Sequence, residues 1–189
     1  MTVDIGQQSQ RVLVTGGAGY IGSHTVHALV DAGHEAIVLD DLSTGTRRYL
    51  PQDVPFYRGD VADTTLVADI IDRHAVGTII HFAGSVIVPE SVENPAKYYA
   101  NNTAASLALM RAAETKGVER FVFSSTAAVY GEPAEQPVSA AAPLQPINPY
   151  GRSKLMTEHM LADVAAASRL RYMALRYFNV AGADPQGRT

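Results

Sequence analysis

Short apolar runs alternate along the chain with longer stretches in which apolar residues recur every three or four positions. The short runs, such as the β-branched run at 11–16, are typical of strands. We predict strands over residues 11–16, 35–41, 54–60, 77–84, 120–126 and 171–179. Because these runs are nearly continuous rather than alternating with polar residues, they indicate parallel strands buried on both faces.

The longer stretches predict helices that connect these strands. Helical spacing covers residues 20–33, 63–76, 91–116 and 150–168. The alternation of strands and helices predicts an α/β protein with a Rossmann-like, doubly wound parallel sheet. The proline-containing segment 131–149 is predicted to be a loop, and long loops in compact domains are usually functional or disordered.

Length and composition predict one globular domain. Of the 189 residues, 47% are hydrophobic and 18% are charged. We expect a flexible, polar N-terminus over residues 1–10 and one domain over 11–189. The N-terminus has neither the pattern of a signal peptide nor that of an anchor, and no apolar run reaches the about 18 residues of a spanning helix. We therefore expect a cytoplasmic protein without membrane contact.

Charge and residue usage argue against several kinds of partner. The net charge is −4 and no basic block is present, which argues against nucleic acid as a partner. The absence of cysteine excludes disulfides, thiolate nucleophiles and cysteine-based zinc sites. His24 and His27 are three residues apart but have no carboxylate partner in the sequence, so we expect no metal site.

The segment VTGGAGYIG lies between the first predicted strand and the first predicted helix. Gly16 would allow a tight turn, Gly19 would let the backbone approach a pyrophosphate, and Gly22 would let the helix pack on the strand. The spacing is G-x-x-G-x-x-G, and such a triplet alone is equally compatible with a simple turn. Within this loop, further candidate cofactor contacts are Tyr20 and Ile21.

An acidic residue follows at the end of the second predicted strand. Asp40 lies 18 residues after Gly22 and could accept hydrogen bonds from adenosine ribose hydroxyls. A carboxylate there would repel a 2′-phosphate, which favours NAD over NADP. Asp41 could serve instead, or Asp40 could cap a turn. Further candidate cofactor contacts lie at the ends of the third and fourth predicted strands: Asp60, Val61, Phe82, Ala83 and Gly84.

A tyrosine and a lysine stand one helical turn apart at the start of the last predicted helix. Tyr150 and Lys154 are at i and i+4, so they share a face. Free tyrosine has a pKa of about 10, and a nearby ammonium and a positive nicotinamide ring would both favour the phenolate that a base requires. Thr126, at the end of the fifth strand, could hydrogen-bond to the same reacting oxygen. An isolated pair of this kind is usually a packed tyrosine and a solvated lysine, but the nucleotide motif favours chemistry.

The motifs TGGAGYIG, HFAG, FSSTAAVYG, NPYGRSK and RYFN occur in this order. Together they resemble the extended short-chain dehydrogenase/reductase family, most closely its UDP-sugar 4-epimerases, from Arg11 to about Ala183. The resemblance implies that Tyr150 removes the C4 hydroxyl proton of a UDP-linked hexose while hydride moves to tightly bound NAD. The 4-keto sugar then turns, and hydride returns to its other face. It also implies cofactor contacts by Asn101, Phe178, Tyr150 and Lys154, and substrate contacts by Thr126, Tyr150 and Asn179.

Two positions separate this chain from relatives within the resemblance. Related 4,6-dehydratases carry an Asp-Glu pair directly after the threonine, whereas Ala127 and Ala128 follow Thr126 here. Elimination chemistry is therefore disfavoured. Val86 stands where some epimerases have a lysine on the cofactor, which leaves that contact in doubt.

The resemblance implies that the uridine-nucleotide pocket is built largely by a C-terminal part, which we expect to lie outside these 189 residues. The resemblance therefore leaves alternatives open. The chain could belong to an isomerase of UDP-glucose and UDP-galactose in galactose metabolism, or to an epimerase of UDP-N-acetylhexosamines or UDP-pentoses. It could also be an NAD-binding module without catalysis. We expect exposed apolar surface near the carboxyl edge of the sheet and poor solubility. The resemblance implies that the helices near 91–116 and 150–168 could form the surface of a homodimer.

Overall fold

A parallel six-stranded sheet forms the centre of the protein, in the order β3-β2-β1-β4-β5-β6. The structure is a computed structural model that describes residues 10–189. The predicted flexible N-terminus therefore lies, apart from Gln10, outside the described residues. The strands are β1 (Arg11–Thr15), β2 (Glu35–Asp40), β3 (Phe56–Arg58), β4 (Thr78–His81), β5 (Arg120–Ser124) and β6 (Arg171–Leu175).

Helices cover both faces of the sheet, which confirms the predicted α/β architecture. The helices are α1 (Tyr20–Asp31), α2 (Thr64–His74), α3 (Val88–Glu93), α4 (Pro95–Tyr98), α5 (Ala105–Thr115) and α6 (Pro149–Ala167). Short 3₁₀ turns occur at Arg47–Tyr49 and Ala127–Tyr130, and a π-helical turn at Tyr99–Ala104.

Two apolar clusters hold the layers together. The larger one joins the sheet to α2, α5 and α6 through residues such as Ile70, Leu109 and Leu161. The smaller one joins the other face to α1 through Val26. Burying one such aliphatic side chain stabilises a fold by about 1.5–3 kcal/mol. Because the two clusters lie on opposite faces of the sheet, successive residues of a strand are buried in turn, which explains the near-continuous apolar runs.

The chain order reverses between β1 and β4, which are neighbours in the sheet. β1 pairs with β2 on one side and with β4 on the other, all in parallel. All strands therefore end at one edge, and the crevice where the order reverses is the usual ligand position in open α/β sheets.

The predicted helix over 91–116 is wrong in its boundaries, because the structure divides it into α3, α4, the π turn and α5. Asn94 leaves the helical region at φ −133° and ψ 70°, and its side chain accepts a hydrogen bond from Lys97 N. Pro95 directly after it disfavours helical geometry at the preceding residue. The third and sixth strands are also shorter than predicted.

The β6 edge of the sheet carries exposed apolar side chains. Met173 is 60% exposed, and Tyr172 and Leu175 are exposed beside it. Within the described residues, β6 pairs only with β5.

Among residues 10–189, no helix combines the length and the apolar character that a membrane span requires.

Candidate cofactor and catalytic site

The glycine loop between β1 and α1 lies against the end of β4. Gly16 adopts φ +69°, and a Cβ atom there would lie 2.5 Å from Ala83 N. A Cβ at Gly22 would collide with Gly16 O. Only glycine fits at these two positions, and the loop therefore brings β1, α1 and β4 into close contact.

The N-terminus of α1 lies at the carboxyl edge of the sheet. Gly19 is its N-cap residue, and no side chain caps the helix. The first backbone N–H groups, on Tyr20 and Ile21, therefore carry the partial positive charge of the helix end without a side-chain acceptor. The Tyr20 hydroxyl donates to Gly182 O at 2.7 Å, so the segment after β6 passes beside this helix end.

Asp40 is buried at the end of β2 and holds the glycine loop. Its Oδ2 accepts from Ala18 N at 2.9 Å, and its Oδ1 accepts from Leu42 N at 2.8 Å. Asp40 therefore caps a turn, which is one of the roles that the sequence left open for it. It does not exclude a ribose contact, because each carboxylate oxygen can accept more than one hydrogen bond. Asp41 is exposed and caps its own turn through Ser43.

The two candidates after β3 lie in different environments. Asp60 is exposed, and its Oδ1 accepts from Ala62 N at 2.8 Å. Val61 is buried and belongs to the larger apolar cluster. The Val61 side chain therefore contributes to the core, and the carboxylate of Asp60 forms a local turn.

The segment after β4 connects the nucleotide end to the catalytic end. Phe82 N and Ala83 N both donate to Thr15 O, at 2.8 and 3.1 Å. Gly84 has φ +154°, and a Cβ there would lie 3.4 Å from Lys154 Nζ. The candidates at 82–84 thus lie between the glycine loop and the lysine.

Helix α6 begins at the position that the tyrosine–lysine motif requires. Asn148 caps it by accepting from Gly151 N at 2.8 Å, and Pro149 occupies its first turn. A Cβ at Gly151 would lie 2.8 Å from Ala128 O. This close approach brings the first turn of α6, and with it Tyr150, to the 3₁₀ turn that follows Thr126.

The structure brings Thr126 and Tyr150 together. Thr126 Oγ1 accepts from Ala128 N at 3.1 Å, which leaves its hydroxyl proton free to donate. Burial raises the pKa of Tyr150, and the side-chain hydrogen bond with Thr126 opposes this rise. Lys154 is not among the groups that shift the pKa of Tyr150, and desolvation of the phenolate is the larger of the two effects that do.

Lys154 is buried with its ammonium group at the end of β5. Lys154 is only 2% exposed, and its Nζ donates a hydrogen bond to Ser124 O at 3.1 Å. Nζ also lies 4.9 Å from the centre of the Phe123 ring. Burial lowers the pKa of Lys154 to about 8. An ammonium has three N–H donors, so this arrangement leaves donors for a ligand.

Asn102, which was not predicted as a site residue, is buried and forms more hydrogen bonds than the exposed Asn101. Asn102 Oδ1 accepts from Ser85 N at 2.7 Å, and Nδ2 donates to Ser85 O and to Ser153 Oγ. Asn101 is exposed and donates to Ser85 Oγ at 2.9 Å. Both belong to the π turn, and π turns frequently occur at functional sites. In the sequence, the only indication of this site was a pair of consecutive asparagines within a predicted helix.

A second unpredicted network surrounds His81 beneath the site. The Ser106 hydroxyl donates to Asn102 O, so it accepts from His81 Nε2–H at 2.8 Å. His81 Nδ1 then accepts from the Thr15 hydroxyl at 2.7 Å. Burial, together with the charge of Lys154, lowers the pKa of His81 to about 3. His81 is therefore a neutral link between β1, β4 and α5.

Phe178 and Asn179 lie beyond the end of β6. Phe178 is 74% exposed, and Asn179 is exposed beside it. Neither forms a hydrogen bond with Tyr150 or Lys154 within residues 10–189. The preceding residue, Tyr177, connects this segment to the site, because its carbonyl accepts from Ala127 N at 3.0 Å.

Across the described part of the chain, no three His, Asp or Glu side chains are placed to hold a metal ion. His24 lies edge-on to Tyr20 and contacts Thr189. His27 Nε2 forms a hydrogen bond with Tyr49 O at 2.9 Å. Both histidines are thus engaged in contacts that stabilise α1.

The chain is similar to several UDP-glucose 4-epimerases. The chain is 58% identical over 181 residues to that of Azospirillum brasilense, covering 96% of the chain and 52% of the relative. It is 48% identical over 177 residues to that of Lactobacillus helveticus, covering 94% and 54%. The chain thus spans about half the length of these relatives.

Solved structures give the same result. The UDP-glucose 4-epimerase from Brucella ovis in complex with NAD superposes with a TM-score of 0.92 at 46% identity, covering 95% of this chain and 55% of that one. The enzyme from Bifidobacterium longum in complex with NAD⁺ and UDP has a TM-score of 0.90 at 37% identity, covering 95% and 56%. The NAD dependent epimerase/dehydratase family matches residues 12–189. The chain therefore belongs to the NAD dependent epimerase/dehydratase family.

Proposed function

We propose that this chain is the cofactor-binding and proton-transfer part of a UDP-glucose 4-epimerase, which interconverts UDP-glucose and UDP-galactose through a 4-keto intermediate. The observation that carries the proposal is the close approach of the first turn of α6, which carries Tyr150, to the turn after Thr126. A Cβ at Gly151 would lie only 2.8 Å from Ala128 O, and the same helix carries buried Lys154. This group lies at the edge where a dinucleotide binds in folds of this type. The activity of the named relatives supports the same assignment.

The described residues fit NAD at three points. The uncapped N-terminus of α1 after Gly19 suits a pyrophosphate, because its N–H groups and partial charge lack a side-chain acceptor. Asp40 retains acceptor capacity for ribose hydroxyls and would repel a 2′-phosphate. Lys154 has donors left over after its bond to Ser124 O. NAD, when bound, accepts a hydride from C4 and returns it.

In the proposed mechanism, Tyr150 takes the proton from the C4 hydroxyl of the sugar. Thr126 donates a hydrogen bond at this position, which stabilises negative charge on the phenolate. Because burial alone raises the pKa of Tyr150, a positive charge beside it is needed to bring that pKa towards neutrality. A cationic ring held next to Lys154 would supply this charge. After the ketone has turned, a hydride returned to its other face would invert C4, and Tyr150 would give the proton back to the C4 oxygen.

Epimerisation is favoured over dehydration because the turn after Thr126 contains no acid. Ala127 and Ala128 occupy the 3₁₀ turn directly beside Tyr150. Elimination across the sugar ring requires an additional acid and base at this point. The two methyl side chains cannot transfer protons.

A wider sugar range is the second candidate. A UDP-Glc/GlcNAc 4-epimerase from Campylobacter jejuni superposes with a TM-score of 0.87 at 45% identity, with 93% of this chain covered. An NAD-binding module without turnover stays the third candidate. Cytoplasmic location stays a prediction.

Turnover of UDP-galactose by the 189-residue chain tests the proposal, with the sugar products followed by NMR. We expect conversion to UDP-glucose, and we expect Tyr150→Phe to reduce it by at least about a hundredfold, the usual contribution of a general base. Tyr172→Phe is the matched control, because this tyrosine is exposed on β6. NAD binding without any conversion would instead support the non-catalytic module. UDP-GlcNAc in the same assay tests the wider range.

A further inference from the structure

A buried carboxylate lies on α6 one turn beyond the lysine. Tyr150, Lys154 and Glu158 are spaced at i, i+4 and i+8, so they form one stripe along the helix. Glu158 is 5% exposed. It is not among the residues that the proposed reaction uses. A buried charge is unfavourable unless it is fully paired, so its partners reveal what it does.

Arg176 pairs with Glu158 through a forked contact. Arg176 Nε lies 3.0 Å from each carboxylate oxygen, and Nη2 lies 2.6 Å from Oε2. The remaining nitrogen, Nη1, donates to the Tyr130 hydroxyl at 3.1 Å and to Ala140 O at 3.3 Å. This geometry needs the planar guanidinium, since a lysine cannot reproduce the fork.

A third partner joins the pair to the fifth strand. The Ser125 hydroxyl donates to Glu158 Oε1. Ser125 directly precedes Thr126, and Arg176 precedes the 177–179 segment. The cluster of Glu158, Arg176 and Ser125, here called the clamp, therefore connects the three segments that carry the proposed catalytic and substrate-binding residues.

We infer that the clamp is a positioning device that sets the distance between Tyr150 on α6 and Thr126 at the end of β5. The inference rests on the proposed function only for its link to turnover. The distance itself is a property of the folded chain. A single helix stripe then holds the base, its charged neighbour and the anchor that fixes both against the sheet.

Ionisation of Tyr150 is the readout that a merely structural role would not change. The difference in tyrosinate absorbance between a variant and the same variant carrying Tyr150→Phe isolates this one phenol. We expect Glu158→Gln to raise the ionisation midpoint of Tyr150 by about half a pH unit or more, because the hydrogen bond from Thr126 is loosened. We also expect kcat on UDP-galactose to fall at least about tenfold, with KM less affected.

Two controls separate positioning from general loss of stability. Glu35→Gln makes the same chemical change in an exposed ion pair with Arg11. Val67→Ala truncates a core side chain on α2, outside the clamp. We expect Val67→Ala to lower the melting temperature and both variants to keep the Tyr150 midpoint of the unmodified chain.

A milder variant covers the case in which Glu158→Gln does not fold. Ser125→Ala removes only one donor from the clamp, and we expect a smaller upward shift of the Tyr150 midpoint. An unchanged midpoint in every folded clamp variant would overturn the inference. Absence of turnover in the unmodified chain, with the midpoint shifts present, would count against the proposed function and leave the clamp supported.

Discussion

Gly151 is the position at which a single methyl group should separate the catalytic residues. A Cβ there would lie 2.8 Å from Ala128 O and 2.9 Å from Pro146 Cβ. Non-bonded carbon atoms at their best separation are about 3.5–4.0 Å apart. Gly151→Ala therefore requires the first turn of α6 to move away from the 127–130 turn by roughly 0.5–1 Å.

The expected effect of Gly151→Ala is large on activity and small on stability. A displacement of about 1 Å can reduce turnover about a hundredfold, so we expect a loss of about 10- to 100-fold in kcat. Overpacking costs about 1–3 kcal/mol, and alanine regains about 1 kcal/mol over glycine within a helix. The free energy of unfolding should therefore fall by only about 0–2 kcal/mol.

Turnover of UDP-galactose and urea unfolding, measured on the same preparation, test this expectation. Gly77→Ala is the matched control, because a Cβ at Gly77 would meet nothing within 4 Å. The ionisation midpoint of Tyr150 should rise in Gly151→Ala, which gives a readout independent of turnover. A folded Gly151→Ala protein with kcat within about twofold of the unmodified chain and an unchanged midpoint would refute the reasoning.

Three further predictions concern charge, the cofactor and assembly. Burial lowers the pKa of Lys154 from 10.5 to about 8. The unfolded chain therefore binds more protons between these values, and the free energy of unfolding should rise with pH across this window in urea titrations, by up to about 3 kcal/mol. Lys154→Met should flatten that rise. Asp40→Asn should leave one of the two backbone N–H donors that contact Asp40 unpaired, which should lower the free energy of unfolding by about 1–3 kcal/mol. It should also narrow the preference for NAD over NADP in binding titrations. Asp41→Asn, at an exposed turn, should change neither the stability nor the cofactor preference. The homodimer stays a prediction. Leu107 and Met156 are exposed apolar residues on α5 and α6, so we expect the unmodified chain to sediment as a dimer and the variant with both residues replaced by glutamate to sediment as a monomer. A dimer that persists in the double variant would exclude this surface.

Much of the fold was predictable because local pattern and tertiary environment agree. The strands are buried on both faces, and this burial selects continuous apolar runs that are visible in the sequence. The π turn at Tyr99–Ala104 was not predictable. It depends on Asn102 reaching Ser85 and Ser153, which are distant in sequence. Helical spacing alone carries no information about such contacts.

The order of the elements, the glycine loop and the shared helix face of Tyr150 and Lys154 were all predictable from the sequence, because each depends on residues close along the chain. The environment of these groups, in contrast, depends on how the chain folds. Burial raises the pKa of Tyr150, and Asp40 holds the glycine loop through Ala18. Glu158 and Arg176 lie 18 positions apart, and only folding pairs them. Desolvation and hydrogen bonding depend on neighbours in space, and these form only when the sheet and helices assemble.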